Sequence, residues 1–343
     1  MAFFRRSPSR AGLYAVGGAE RRRPARWRRT ARLALGALAI VGAAGGGTAA
    51  WLLRDPVPRI LARRGTLLET RGDTAAADAG HLSERLTVRS TSGLEVQMLL
   101  RRPAPDSTGA EPRRPLFVIL GGYTTGARAA TLIPDTHGNI VVALAYPYEG
   151  DVRVKGAAVV PAVPGIRRAI LDTPPAVMLA LDYLLSRPDV DASRVELVGA
   201  SFGTPFATVV GALDGRVTRV WSLHGAGEPY TLISHNLRKS VPFAPARAVV
   251  AGLASVLAAG PRLAPERWAP RIAPRPFVMI NASDDERLPR SAIMTLYESA
   301  QEPKELIWLP GAHVQSNRAE VLQSLVNSVL ERAGTPAAGG EGP

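Results

Sequence analysis

The chain has 343 residues, 46% apolar and 21% charged, too apolar for a disordered protein and too polar for a polytopic membrane protein. Cysteine is absent, which excludes thiol nucleophiles, thiolate metal sites and disulfides. The net charge of +13 suggests nucleic acid until it is located: residues 1–53 hold ten of the 42 basic residues and one of the 29 acidic ones. The other 290 residues carry only +4, with no basic recognition helix or stacking platform, so no nucleic-acid partner is expected.

Arg21, Arg22, Arg23, Arg26, Arg28, Arg29 and Arg32 precede a run without charge, Leu33 to Leu53. As a helix this run is about 30 Å long, enough to cross a bilayer. The basic flank predicts a cytoplasmic N-terminus over 1–32, a transmembrane anchor over 33–53, and everything after Arg54 outside the cytoplasm. A cleaved signal with Thr48-Ala49-Ala50 as its small-residue site is the competing expectation, and the protein is then exported. Seven arginines at the start of the run argue against a buried core helix. Residues 54–83, rich in Pro, Ala and Arg without sustained periodicity, read as a linker.

Regular patterning begins at Glu84. Leu86 to Arg89 and Leu94 to Met98 alternate apolar with polar around Ser92-Gly93, which predicts a hairpin. Short apolar runs follow at Leu116–Leu120, Ile140–Ala145, Val195–Val198, Val217–Leu223, Phe277–Ile280 and Leu306–Leu309. Runs of this length with little polar alternation suit strands buried on both faces of a parallel sheet. Between them, Pro175–Ser186, Phe202–Leu213, Ser291–Ser299 and Arg318–Arg332 have helical spacing. Strand–helix alternation of this kind predicts an α/β doubly wound sheet. Tyr230 to Pro270 interrupts it with an apolar stretch lacking a strand. A surface segment of that composition is expected to cover a cleft, so 230–270 is read as a helical lid over Ser201. The Gly- and Pro-containing tail, 334–343, is expected to be disordered.

Chemistry concentrates at Gly199-Ala200-Ser201-Phe202-Gly203, a G-x-S-x-G motif that follows a strand and opens a helix. Its glycines permit a tight turn that lifts the serine hydroxyl above the sheet end. The helix start also places backbone N–H groups where an oxyanion would form. A serine needs a base, and the base an orienting carboxylate. Of five histidines, His313 lies in the loop after the last strand run, the end of the sheet where catalytic groups gather. Carboxylate candidates, Asp284 and Asp285 among them, follow the preceding strand run. The chain order Ser, Asp, His is the one an α/β hydrolase uses. His224, just after a strand, is read as a satisfied structural residue more readily than as part of the pocket. His137 and His235 have no ligand-spaced partner, so no metal is expected. Arg287 reads as a surface charge. Gly122 to Arg128 lacks the ending of a phosphate loop.

With the stretch from Ala180 to Gly203, these motifs resemble the α/β-hydrolase fold family over roughly residues 84–333, on its esterase, dienelactone-hydrolase-like or prolyl-peptidase-like branch. The resemblance implies Ser201 as nucleophile, His313 as base and Asp285, four before Pro289 in the family's D-x-x-x-P pattern, as the acid. Leu116 to Tyr123 resembles the family's H-G-x turn, with Gly121 in place of its histidine. That implies Tyr123 and Phe202 as the two oxyanion donors, through their amides. The reaction implied is hydrolysis of a small-molecule ester or related acyl bond through an acyl-serine, with no cofactor. A peptidase or an acyltransferase would use the same triad. A catalytically inactive membrane-anchored scaffold is the expectation from a different class, and the three matched positions argue against it. The sequence leaves the oligomeric state open.

Overall fold

The computed structural model describes residues 25–78, 80–104, 112–133, 135–151, 153–154, 156–315 and 318–334. Most of the basic leader and nearly all of the expected tail lie outside the described residues. The chain divides into two compact units, Met1–Arg54 and Asp55–Pro343.

In the first unit one helix, α1 (Ala25–Leu53), contains the expected anchor. Among the described residues, no single helix is long and apolar enough to cross a membrane, and the apolar part of α1 in that set is Arg32–Gly47. Among the described residues α1 does not by itself support a membrane-crossing segment over 33–53.

The second unit is built on a nine-stranded sheet in the order β1-β2-β3-β5-β4-β6-β7-β8-β9. Its strands are β1 (Leu67–Asp78), β2 (His81–Ser90), β3 (Glu95–Pro103), β4 (Arg114–Leu120), β5 (Ile140–Leu144), β6 (Val190–Ala200), β7 (Arg219–Leu223), β8 (Phe277–Ala282) and β9 (Lys304–Leu309). β1, β2 and β3 pair antiparallel, as β3 does with β5. Every pairing from β5 onward is parallel. The expected runs all become strands within a few residues of their predicted ends, as does the hairpin.

The linker reading of 54–83 does not hold. Residues there form α2 (Val57–Arg64) and the edge strand β1. Ile60 of α2 is buried in the main core, and Arg63 pairs with Asp172 at 3.0 Å. β1 escapes a periodicity search because it is an edge strand without apolar alternation, carrying Glu69, Arg71, Asp73 and the exposed Leu68.

The other helices are α3 (Val159–Leu184), α4 (Thr204–Leu213), α5 (Pro229–Asn236), α6 (Ala244–Leu257), α7 (Gly260–Leu263), α8 (Pro265–Trp268), α9 (Arg290–Ser299) and α10 (Ala319–Ala333). α3 starts well before the predicted Pro175, continuing through Pro164, Pro174 and Pro175. Its buried stretch from Ala169 to Leu181 outweighs the lost backbone bonds.

Alternate strand residues feed two separate cores. Leu116, Val118 and Leu120 of β4 face a large core with α2, α3, α4, α8 and α9. Phe117 of β4, with Val141, Val198 and Leu223, faces a smaller one. That second core is closed by Leu325 and Val329 of α10 and by Ala129 and Ala130 of a 3₁₀ turn (Gly126–Leu132). The 230–270 segment is helical as expected, but its inward residues Ala259, Leu263, Trp268 and Ala269 join the larger core.

Candidate active site

β6 delivers Ser201 at its C-terminal end, where a 3₁₀ turn (Ser201–Gly203) leads into α4. Ser201 has φ +52°, a left-handed conformation that a non-glycine residue adopts only when its surroundings enforce it. The flanking glycines supply the enforcement. A Cβ on Gly203 would lie 2.0 Å from the Leu120 carbonyl oxygen, and one on Gly199 would lie 2.7 Å from Ala207 Cβ. The serine is therefore raised from the sheet by a turn that only glycine can flank.

Two strands bring its partners to it. Ser201 Oγ is 2.8 Å from His313 Nε2, and His313 Nδ1 is 2.7 Å from Asp285 Oδ2. His313 follows β9 and Asp285 follows β8, both with buried side chains. The other oxygen of Asp285 accepts the amides of Arg287 at 2.9 Å and Leu288 at 3.0 Å. Burial opposes ionisation of this carboxyl, but hydrogen bonds from His224 and His313 outweigh it and hold Asp285 well below the usual carboxylate range. Asp284 is exposed and bonded to Ser283, so of the two adjacent acids only Asp285 meets the histidine.

Sequence reasoning missed two supports. His313 donates its amide to Glu286 Oε2 at 2.9 Å, and its carbonyl accepts Arg318 Nη1 at 2.7 Å. Arg318 pairs with Glu286 at 3.1 Å, closing a clamp on the histidine backbone. Burial opposes ionisation of Glu286, yet the His313 amide and the Arg318 guanidinium hold its carboxyl below the ordinary value. The second support is His224, fully buried at the end of β7 with φ +48°. Its Nδ1 is 3.2 Å from Asp285 Oδ2 and 3.1 Å from the Val314 amide nitrogen. That atom carries one proton or one lone pair and serves one partner at a time. Donation to Asp285 is the form that compensates burial of the carboxylate. The only sequence signal for His224 is a histidine directly after a strand at this end of the sheet. Single donor atoms of His224, Asp285 and His313 lie within 4.8 Å of one another, a set that could hold a metal ion. Here they are engaged with one another.

Tyr123 and Phe202 both reach the rim of the same cavity as Ser201, their rings edge to face at 5.9 Å. The turn that carries Tyr123 is fixed by the Thr125 amide donating to Gly122 O at 2.9 Å and by Tyr146 Oη donating to Gly121 O. The cavity, about 320 Å³, also touches His313 and Arg287, which reading the sequence had placed simply on the surface. None of the described residues of 230–270 lines it, so no lid over Ser201 is seen among them: Ala259, Leu263, Trp268 and Ala269 pack into the larger core, and His235 and Asn236 meet the carbonyls of Glu286 and Arg287. Composition announced an apolar segment but not the face it would cover.

Solved structures match this fold. Acetyl xylan esterase 1 from a Thermoanaerobacterium species superposes at TM-score 0.56 and 18% identity, over 78% of this chain and 88% of that one. An acetyl xylan esterase from a Paenibacillus species gives 0.55 and 18%, over 80% and 91%. A cold-adapted esterase from an Arctic intertidal metagenomic library gives 0.50 and 16%, over 78% and 100%. The chain has the α/β-hydrolase fold. No family model and no curated protein matches the sequence. In this α/β-hydrolase fold the serine turn ends a central parallel strand, and the acid and the histidine follow the next two strands beyond β7.

Proposed function

We propose that the protein is a serine hydrolase that cleaves an ester through Ser201, His313 and Asp285. The observation that carries this is the continuous hydrogen-bonded chain from Ser201 Oγ through His313 to a buried, ionised Asp285. His313 Nε2 takes the Ser201 proton as Oγ attacks the carbonyl carbon, and Asp285 stabilises the imidazolium that results. The amides of Tyr123 and Phe202 hold the oxyanion. Collapse expels the alcohol, which receives the proton from His313, and leaves an acyl-serine. Water then gives a proton to His313, attacks the acyl carbon and releases the carboxylic acid, and the proton returns to Ser201. The three similar solved proteins named above are esterases, which supports an ester over an amide. A basic flank before an uncharged helical stretch of signal-peptide length supports a place outside the cytoplasm, with the leader retained or cleaved.

The test is hydrolysis of p-nitrophenyl acetate by the wild type and by Ser201→Ala. Release of p-nitrophenol that disappears in the variant is expected. Equal rates from both proteins, or none from either, would overturn the reading.

A further inference from the structure

We infer that the protein prefers a linear, medium-length acyl chain to an acetyl group, and that α10 forms the wall of its acyl site. This rests on the esterase reading above. From Ser201 the cavity runs back along the thin face of the sheet. Its sheet wall is Phe117, Ile119, Val141, Val198 and Leu223. Its opposite wall is α10, through Leu322, Leu325, Val326, Val329 and Leu330. Both walls are apolar for their whole length.

The two walls independently give the same length. From Phe117 to Gly121 the strand advances about 13 Å, and from Leu322 to Leu330 the helix rises about 12 Å. An extended alkyl chain, with bonds of about 1.5 Å in a zigzag, advances roughly 1.25 Å per carbon, so about ten carbons fit. The far end is polar. Thr136 lines the cavity there and lies just before β5, at the sheet end opposite Ser201. Its Oγ1 is buried and has no hydrogen-bond partner among the described residues. A longer apolar chain would press methylenes against that buried hydroxyl, which sets an upper limit on chain length.

Geometry also says which half of the ester enters. The departing oxygen takes its proton from His313, so the leaving group lies on the side of β8 and β9. The long apolar part of the cavity extends the other way, beneath β6, β4 and β5, while Arg287, Val314 and Gln315 line its mouth near His313. The acyl group is the half that remains on that side.

The experiment is a series of p-nitrophenyl esters from acetate to myristate, run on the wild type, on Val329→Phe and on Val326→Phe, with Ser201→Ala as the blank. In the wild type, kcat/KM should rise roughly threefold per added methylene, level near ten carbons and then fall. Each phenylalanine, placed in the channel from buried Val329 or half-buried Val326, should move the maximum to shorter chains and lower the ratio of octanoate to acetate at least tenfold. Two positions are used because the larger side chain at buried Val329 could prevent folding. A Ser201-dependent activity that is flat or highest for acetate would overturn the acyl channel while leaving the esterase reading standing. So would an unchanged octanoate-to-acetate ratio in a folded variant. No Ser201-dependent hydrolysis of any ester would overturn both.

Discussion

The two faces of the central sheet are covered unequally, and the inequality locates the site. One face carries α2, α3, α4, α8 and α9 over a dense core in which Leu179, Leu181, Val209 and Met279 are fully buried. The other is closed by α10 and a short 3₁₀ turn, and there the packing stops short and leaves the cavity that opens at Ser201. Close packing over one face supplies stability and fixes the strand ends. Incomplete cover over the other supplies room for a ligand beside those ends. Within 230–270, α7 and α8 reinforce the face that was already thick, and the outward residues of α6 remain in solvent, Val249 at 62% and Leu253 at 60% exposure.

The strongest tests of this division act where the faces meet. Ser201→Ala and His313→Ala should each lower turnover by about four orders of magnitude or more while the melting temperature stays close to wild type. Substantial residual turnover in either would mean the thin face is only a packing defect. Asp285→Asn should lose about two to four orders of magnitude, and Asp284→Asn less than twofold. Because Asp285 stays ionised far below neutrality, the acid limb of kcat/KM should fit one proton and not two. A second titration above pH 4 would contradict the ion's burial among its donors.

Smaller effects separate the faces by stability. Leu179→Ala on the packed face should cost about 2–5 kcal/mol in denaturant unfolding. Leu325→Ala on α10 should cost about 1–2 kcal/mol, since part of that side chain already borders empty space. Equal losses would show the cavity to be closed in solution. Smallest of all, Leu253→Asn on the outer side of α6 should change stability by no more than about 0.5 kcal/mol and leave ester preference untouched.

Much of this was legible in the sequence because it is local. Apolar runs marked the parallel strands, and glycines at 199 and 203 marked the turn that only glycine can flank. Asp285 was separated from Asp284 by its distance to Pro289. What escaped was set by tertiary partners. β1 is stabilised by pairing with β2 and has no apolar face of its own to announce it. α3 continues through its prolines because the sheet buries it. His224, Glu286 and Arg318 carry no spacing signal and meet only when β7, β8 and β9 line up. The face chosen by 230–270 depends on where α7 and α8 pack, which periodicity does not encode.

The central claim, that Ser201 is a nucleophile activated by His313, is tested most directly by a fluorophosphonate probe read out by intact mass and peptide mapping. One adduct per chain, mapped to Ser201, abolished by Ser201→Ala and formed far more slowly in His313→Ala, is the predicted result. No adduct on folded wild-type protein, or an adduct at another residue, would contradict it.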